Sequence, residues 1–142
     1  MSFVLDGIGR LLARYLEKPV QGYEPFTPSD YSTLQNTLQP GDVVRITAAE
    51  RYNLALRSDG TVVAWGSNGF DQSTVPPGLS GVVAIAAGGS HNLALKPDGT
   101  VVAWGRDNVG QSTVPAGLSG VVAIAAGGSN NLALKSDGTV VA

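Results

Sequence analysis

The chain has 142 residues, of which 43% are apolar, 14% are charged and 19 are glycine, with a net charge of −2. That length allows one domain or a short domain with an appendage, and the low charge and many glycines suit short strands joined by tight turns rather than a helical bundle. A slightly acidic balance speaks against nucleic acid or an anionic membrane as principal partner, since both require clustered Lys or Arg, and the absence of cysteine removes disulfides, thiolate metal sites and a cysteine nucleophile.

No run of 18 apolar residues occurs, so no membrane span is expected. In the opening MSFVLDGIGRLLARYLEKPV, Asp6, Arg10 and Arg14 interrupt any apolar core, so it is not a secretory signal, and the chain is read as cytoplasmic by default. Val4, Leu5, Ile8, Leu11, Leu12, Tyr15 and Leu16 recur at three- and four-residue spacing, which predicts a helix over 3–17 ending before Pro19. Gly7 and Gly9 weaken it by roughly 1 kcal/mol each. Its polar face mixes Asp6 and Glu17 with Arg10, Arg14 and Lys18, a pattern suited to packing on another domain rather than to lipid. An extended stretch and a short helix over 29–38, capped by Ser29 or Asp30, are expected before the next segment.

From Asp42 onward the sequence repeats every 39 residues. GVVAIAAGGSHNLALKPDGTVVAWG begins at Gly81, GVVAIAAGGSNNLALKSDGTVVA at Gly120, and a blurred copy, DVVRITAAERYNLALRSDGTVVAWG, at Asp42. Asn53, Asn92 and Asn131 align, as do Trp65 and Trp104, and Gln72 and Gln111. A period of this size marks units that cannot bury their apolar faces without a neighbour. Within one unit, Val82–Ala87 is a predicted strand with Val83 and Ile85 on one face. His91–Lys96 is a second strand, with Leu93 and Leu95 on one face. Pro97-Asp98-Gly99 turns the chain onto a third strand, Thr100–Trp104, as Asp59-Gly60 and Asp137-Gly138 do in the other copies. Gly105–Gln111 is a loop and Ser112–Val114 a candidate outer strand. The fold expected is mainly β: an incomplete β-propeller of about 2.6 four-stranded blades, with Trp65 and Trp104 packed between blades, preceded by a short α-helical N-terminal segment. Two pieces result, 1–41 and 42–142, the latter divided as 42–80, 81–119 and a partial 120–142.

Two resemblances accompany this reading. AAGGSHNLALKPDGTVVAWG, with GQ six residues on, resembles the regulator of chromosome condensation repeat family, and the variant ending GQSTVPAGLSGV is similar to the bacterial propeller that inhibits β-lactamase. That family implies closed, usually seven-bladed propellers that act as exchange factors, chromatin binders, inhibitors or scaffolds. The inhibitor carries aromatics in loops where Ser90 and Ser129 stand here. Separately, GYEPFTPSD and LQPGDVV resemble the N-terminal lead-in of permuted papain-like cysteine hydrolases over about residues 1–44. The catalytic Cys and His of those enzymes do not carry over, because Cys is absent and the single His, His91, lies in the repeat.

Differences among the internal copies point to solvent-facing positions. Tyr52/His91/Asn130, Ser67/Arg106 and Phe70/Val109 vary within the turn between the first two strands and the loop after Trp-Gly, so Tyr52, Phe70, His91 and Arg106 are the candidate anchors of a protein-binding face. The competing reading of His91 is a turn or packing histidine. Asp59, Asp98 and Asp137 recur before Gly as turn residues rather than acid–base groups, and the Gly-Gly pairs lack the setting of a phosphate cradle. The expectation is a non-enzymatic, protein-binding repeat protein with no cofactor or metal, able to self-associate through open blade edges. The alternatives are a catalytically dead hydrolase remnant fused to repeats, or a fragment without independent function.

Overall fold

A computed structural model describes residues 39–142; the predicted N-terminal helices and most of the hydrolase-like lead-in lie outside the described residues. The described residues form nine strands: β1 (Val43–Ala48), β2 (Tyr52–Arg57), β3 (Val62–Gly66), β4 (Ala84–Ala87), β5 (His91–Leu95), β6 (Val101–Gly105), β7 (Val121–Ala126), β8 (Asn131–Lys135) and β9 (Val140–Val141). They make three antiparallel sheets, β1-β2-β3, β4-β5-β6 and β7-β8-β9, one per repeat.

Each hairpin between the second and third strands is closed by Asp-Gly. Gly99 adopts φ +79°, its N–H donates to the Lys96 carbonyl at 3.0 Å, and the Lys96 N–H donates to the Thr100 carbonyl at 2.9 Å. Only glycine enters this left-handed region cheaply. The preceding Asp98 Oδ1 accepts from both the Thr100 amide and the Thr100 hydroxyl, and Asp59–Thr61 and Asp137–Thr139 repeat the arrangement.

Sheets stack face to face. Tyr52, Leu54 and Leu56 project from β2 onto the second sheet, where Val82, Ala94 and Trp104 complete a buried cluster flanked by Ile85 and Val102. Leu95 joins Val121 and Ala133 in the next cluster, flanked by Ile124 and Val141. Successive sheets are also stitched by backbone: Val82 N–H donates to the Gly60 carbonyl at 3.0 Å, and Val121 N–H to that of Gly99 at 3.1 Å. The turn of one sheet thus abuts the first strand of the next.

Three expectations are corrected. The sheets have three strands, not four: Ser112–Val114 is irregular, because Ser112 N–H and the Thr113 hydroxyl bond to the Asp107 carboxylate and the Ser112 hydroxyl to the Arg106 carbonyl. Such local bonds compete with a ladder, and Pro115 has no N–H to offer one. Val83 is not a core residue but 46% exposed, whereas Val82 is buried. The register shifts between Val43 and Arg45 and between Val121 and Ala123, and Val83 N–H donates to the carbonyl of Leu95, the residue opposite Ala84. One extra residue at the strand start reverses the side-chain alternation. Lastly, Trp104 packs between sheets at 7% exposure but Trp65 does not, at 49%; among the described residues no sheet lies on its side of β3.

Candidate functional site

The four candidate anchors separate into two pairs. Tyr52 and His91 begin β2 and β5 and are fully enclosed, at 1% and 0% exposure, so the expectation that they face solvent fails. Their side chains point along the stacking direction into the next sheet. The Tyr52 hydroxyl donates within reach of two carbonyls there, Gly88 at 3.0 Å and His91 at 2.7 Å, and burial pushes its pKa up to about 12. The His91 ring lies against Gly88, where a Cβ would collide with Cε1, and its Nε2 meets Asn131 Oδ1 at 2.7 Å. Asn131 Nδ2 donates to the Gln111 carbonyl at 2.7 Å, so Oδ1 is the acceptor and the imidazole proton sits on Nε2. Tyr52 and His91 thus make the same sheet-to-sheet contact with different side chains, whereas Asn130, on the last described sheet, is exposed.

Phe70 and Arg106 are the surface pair. They come from the loops that follow β3 and β6, one sheet apart, and the Arg106 guanidinium lies 4.6 Å from the centre of the Phe70 ring. Phe70 stays 47% exposed, and Val109, its repeat counterpart on the second loop, is 65% exposed. A cation over an aromatic face is worth about 0.5–1 kcal/mol when exposed, enough to bias the orientation of both side chains. The arrangement presents an aromatic ring, a cation and an aliphatic side chain at one end of the stack.

Both loops are held from beneath by buried glutamines that the repeat alignment revealed but whose role it did not. Gln72 Oε1 accepts the Phe70 N–H at 2.8 Å and Gln111 Oε1 that of Val109 at 2.9 Å. Their backbone carbonyls receive the following sheet: Gln72 O accepts from Asn92 Nδ2 at 2.7 Å and from Trp104 Nε1 at 3.2 Å. Each glutamine therefore fixes an exposed loop residue with its side chain and a neighbouring sheet with its backbone. Asp71, beside Phe70, is the one described non-glycine residue with positive φ, +58°, where the second loop has Gly110 at +83°.

A cavity of about 290 Å³ lies between the second and third sheets, lined by Leu93, Val101, Leu118, Ile124 and Ala133, with Gln111 and Asn131 as polar members. In the first interface the equivalent space is filled by Trp104. No group of three or more His, Cys, Asp or Glu arranged to hold a metal occurs among the described residues. No helix among them is long and apolar enough to cross a membrane.

Repeated antiparallel sheets, stacked face to face by a fixed residue offset, define a propeller-type repeat protein. The Regulator of chromosome condensation (RCC1) repeat profile matches residues 43–72 and 82–111, so the first two repeats are similar to that family. Among solved structures, the chain is similar to Prp20p from Saccharomyces cerevisiae (TM-score 0.60, 27% identity over 73% of this chain and 31% of that one), in a study of its binding to Gsp1p and histones. It is likewise similar to yeast RCC1 (Prp20) solved with Kap60 (TM-score 0.60, 28% identity, 73% and 30%). Human WBSCR16 shares the fold (TM-score 0.62, 24% identity, 70% and 32%). The chain spans roughly a third of the length of these structures. No curated protein matches the sequence.

Proposed function

We propose that this chain is a non-enzymatic protein-binding module whose contact surface is the loop end of the stack, centred on Phe70, Arg106 and Val109. The observation that carries the reading is the Phe70–Arg106 stack: two loops from adjacent sheets deliver an aromatic and a cation to one exposed place. Aromatic and Arg side chains are the residue types that dominate binding energy, and here both are oriented before any partner arrives. The surface suits a partner offering an apolar side chain next to a carboxylate. Tyr52 and His91 serve it indirectly, by locking the sheets that carry the loops. The protein partners of the yeast relative support the same mode of action, and the fold alone does not supply one. A non-catalytic role is supported by the enclosure of His91 and by the commitment of Asp59, Asp98 and Asp137 to turn hydrogen bonds.

Site-specific photocrosslinking tests this. A benzophenone side chain at Phe70 or Val109 is expected to give protein adducts in the source cell. The same group at Asp59 or Asp98, in the hairpin turns, is expected to give none. Equal labelling at both sets of positions, or adducts confined to the turns, overturns the proposal.

A further inference from the structure

The two outer faces of the described stack expose residues whose counterparts are buried at its internal interfaces. The third sheet turns Leu132, Leu134 and Val140 outward, at 45%, 40% and 60% exposure. Their counterparts Leu54, Leu56 and Val62 in the first sheet, and Leu93 and Leu95 in the second, are buried against the following sheet. At the opposite end the first sheet exposes Ile46, at 78%, and Trp65. The counterparts of these two, Ile85 and Trp104, are the residues the second sheet presses onto Leu54 and Leu56. Register agrees with this assignment: Asn53 pairs with Trp65 and Ala55 with Ile46 on one face, and Leu132 pairs with Ala125 and Leu134 with Val140 on the other. The Ile, Trp, Leu and Val positions of the internal contact thus recur, exposed, on the two outer faces of the described stack.

Among the described residues, two sheet faces lie uncovered. Backbone pairing along an edge, the mode expected from the sequence, is not how neighbouring sheets join here: they join by side chains and a few turn-to-strand bonds. We propose that the chain self-associates head to tail, with the Ile46–Trp65 face of one copy seated on the Leu132–Leu134–Val140 face of the next, reproducing between chains the contact that β4-β5-β6 makes on β1-β2-β3. A second copy is the occupant because the internal interface shows the same residues already docked in that geometry. The faces differ from one another, so the contact is heterologous, and repetition gives a ring if the rotation closes and an open chain if it does not. This surface is separate from the Phe70–Arg106 end, and either reading can fail without the other.

Complementation tests it. The full chain is expected to sediment as a concentration-dependent series of multiples of its mass. Trp65→Glu disables the head and Leu134→Glu the tail; each variant alone is expected to read as a single chain, and an equimolar mixture as a two-chain species and no larger. Ile46→Glu and Val140→Glu repeat the experiment at other positions on the same faces, and retention of the wild-type circular dichroism spectrum establishes that each variant is folded. A wild type that remains one chain at its solubility limit overturns the proposal. So does a Trp65→Glu variant that still dimerises alone, because a tail-to-tail contact would be the cause, or a mixture of folded variants that stays monomeric.

Discussion

The carbonyl of Gln72 accepts two hydrogen bonds from the following sheet, one from the Asn92 amide at 2.7 Å and one from the Trp104 indole at 3.2 Å. Neither donor could be inside the protein without it, since both side chains are buried and carry N–H groups that must be satisfied. The same loop residue orders Phe70 with its side chain, so the joint between sheets and the exposed end are parts of one assembly.

Trp104 and Trp65 are therefore unequal despite occupying the same place in the repeat. Trp104→Ala is expected to cost about 3–5 kcal/mol, the range for removing a large buried side chain that leaves a cavity. Trp65→Ala should cost about 1 kcal/mol or less in the dilute single chain, because half of it already meets water. Urea denaturation of the two variants side by side measures the difference.

Removing the Asn92 amide leaves the Gln72 carbonyl with one donor fewer in a closed environment. Asn92→Ala is expected to destabilise by about 1–3 kcal/mol. It should also raise the mobility of Phe70 in NMR relaxation, a readout that general loss of stability would not confine to one loop.

Glycine at the hairpin turns answers two separate demands, and a pair of substitutions separates them. Gly138 has φ +85° with open space around a notional Cβ, so Gly138→Ala should cost only the left-handed penalty, about 1–2 kcal/mol. Gly99 has φ +79° and a Cβ there would stand 2.9 Å from the Gly120 nitrogen, backbone of the next sheet. Gly99→Ala should add an overpacking cost of about 1–3 kcal/mol. Thermal unfolding of the two variants reads the excess directly.

Alkaline pH should loosen the first interface. The buried Tyr52 hydroxyl ionises at about 12 in the folded chain against 10.0 ordinarily, so its contribution is complete below pH 10 and is lost as pH rises toward 12, where the unfolded chain ionises first. Denaturation midpoints should fall over that window in the wild type. Tyr52→Phe should be less stable at neutral pH and show a shallower decline.

At the acid end, hydrogen bonds from the threonine two residues on, hydroxyl first and amide second, hold the carboxyls of Asp59, Asp98 and Asp137 below their ordinary range. Their turn bonds persist at neutral pH and are lost as pH falls through those depressed values. The amide proton shifts of Thr61, Thr100 and Thr139 should titrate together, with midpoints below 3.8.

Strand positions and turns were legible in the sequence because LAL alternation and Asp-Gly punctuation are local signals with one physical reading. The likeness to the repeat family is legible for the same reason, in the residues around Trp-Gly and Gly-Gln. Val83 was misplaced because an added residue at the start of an inner strand leaves no mark in an apolar Val-Val pair. Ser112–Val114 looked like a strand until its hydroxyls and Asp107 were seen to bond locally. At the candidate site, Phe70 lies exposed and Arg106 half-buried on neighbouring loops, whereas Tyr52 and His91 are enclosed. Variation among copies does not mean freedom here, because Tyr52 and His91 each span the gap to the next sheet by a different reach. The sequence also carries the reverse signal: Asn92, Gln72 and Gln111 are buried and Asn131 is half-buried, all four polar and unchanged between copies, the pattern of residues that join units.

All five residues of β5 are buried, whereas β8 has four of its five at least partly open, two of them exposed. Since each sheet is covered only by its immediate neighbours, resistance to opening is greatest at the centre of the chain and declines outward. Deuterium should therefore enter β8 and β9 long before His91–Leu95, and a protease acting on the native protein should trim it from the C-terminal sheet inward while the middle hairpin survives.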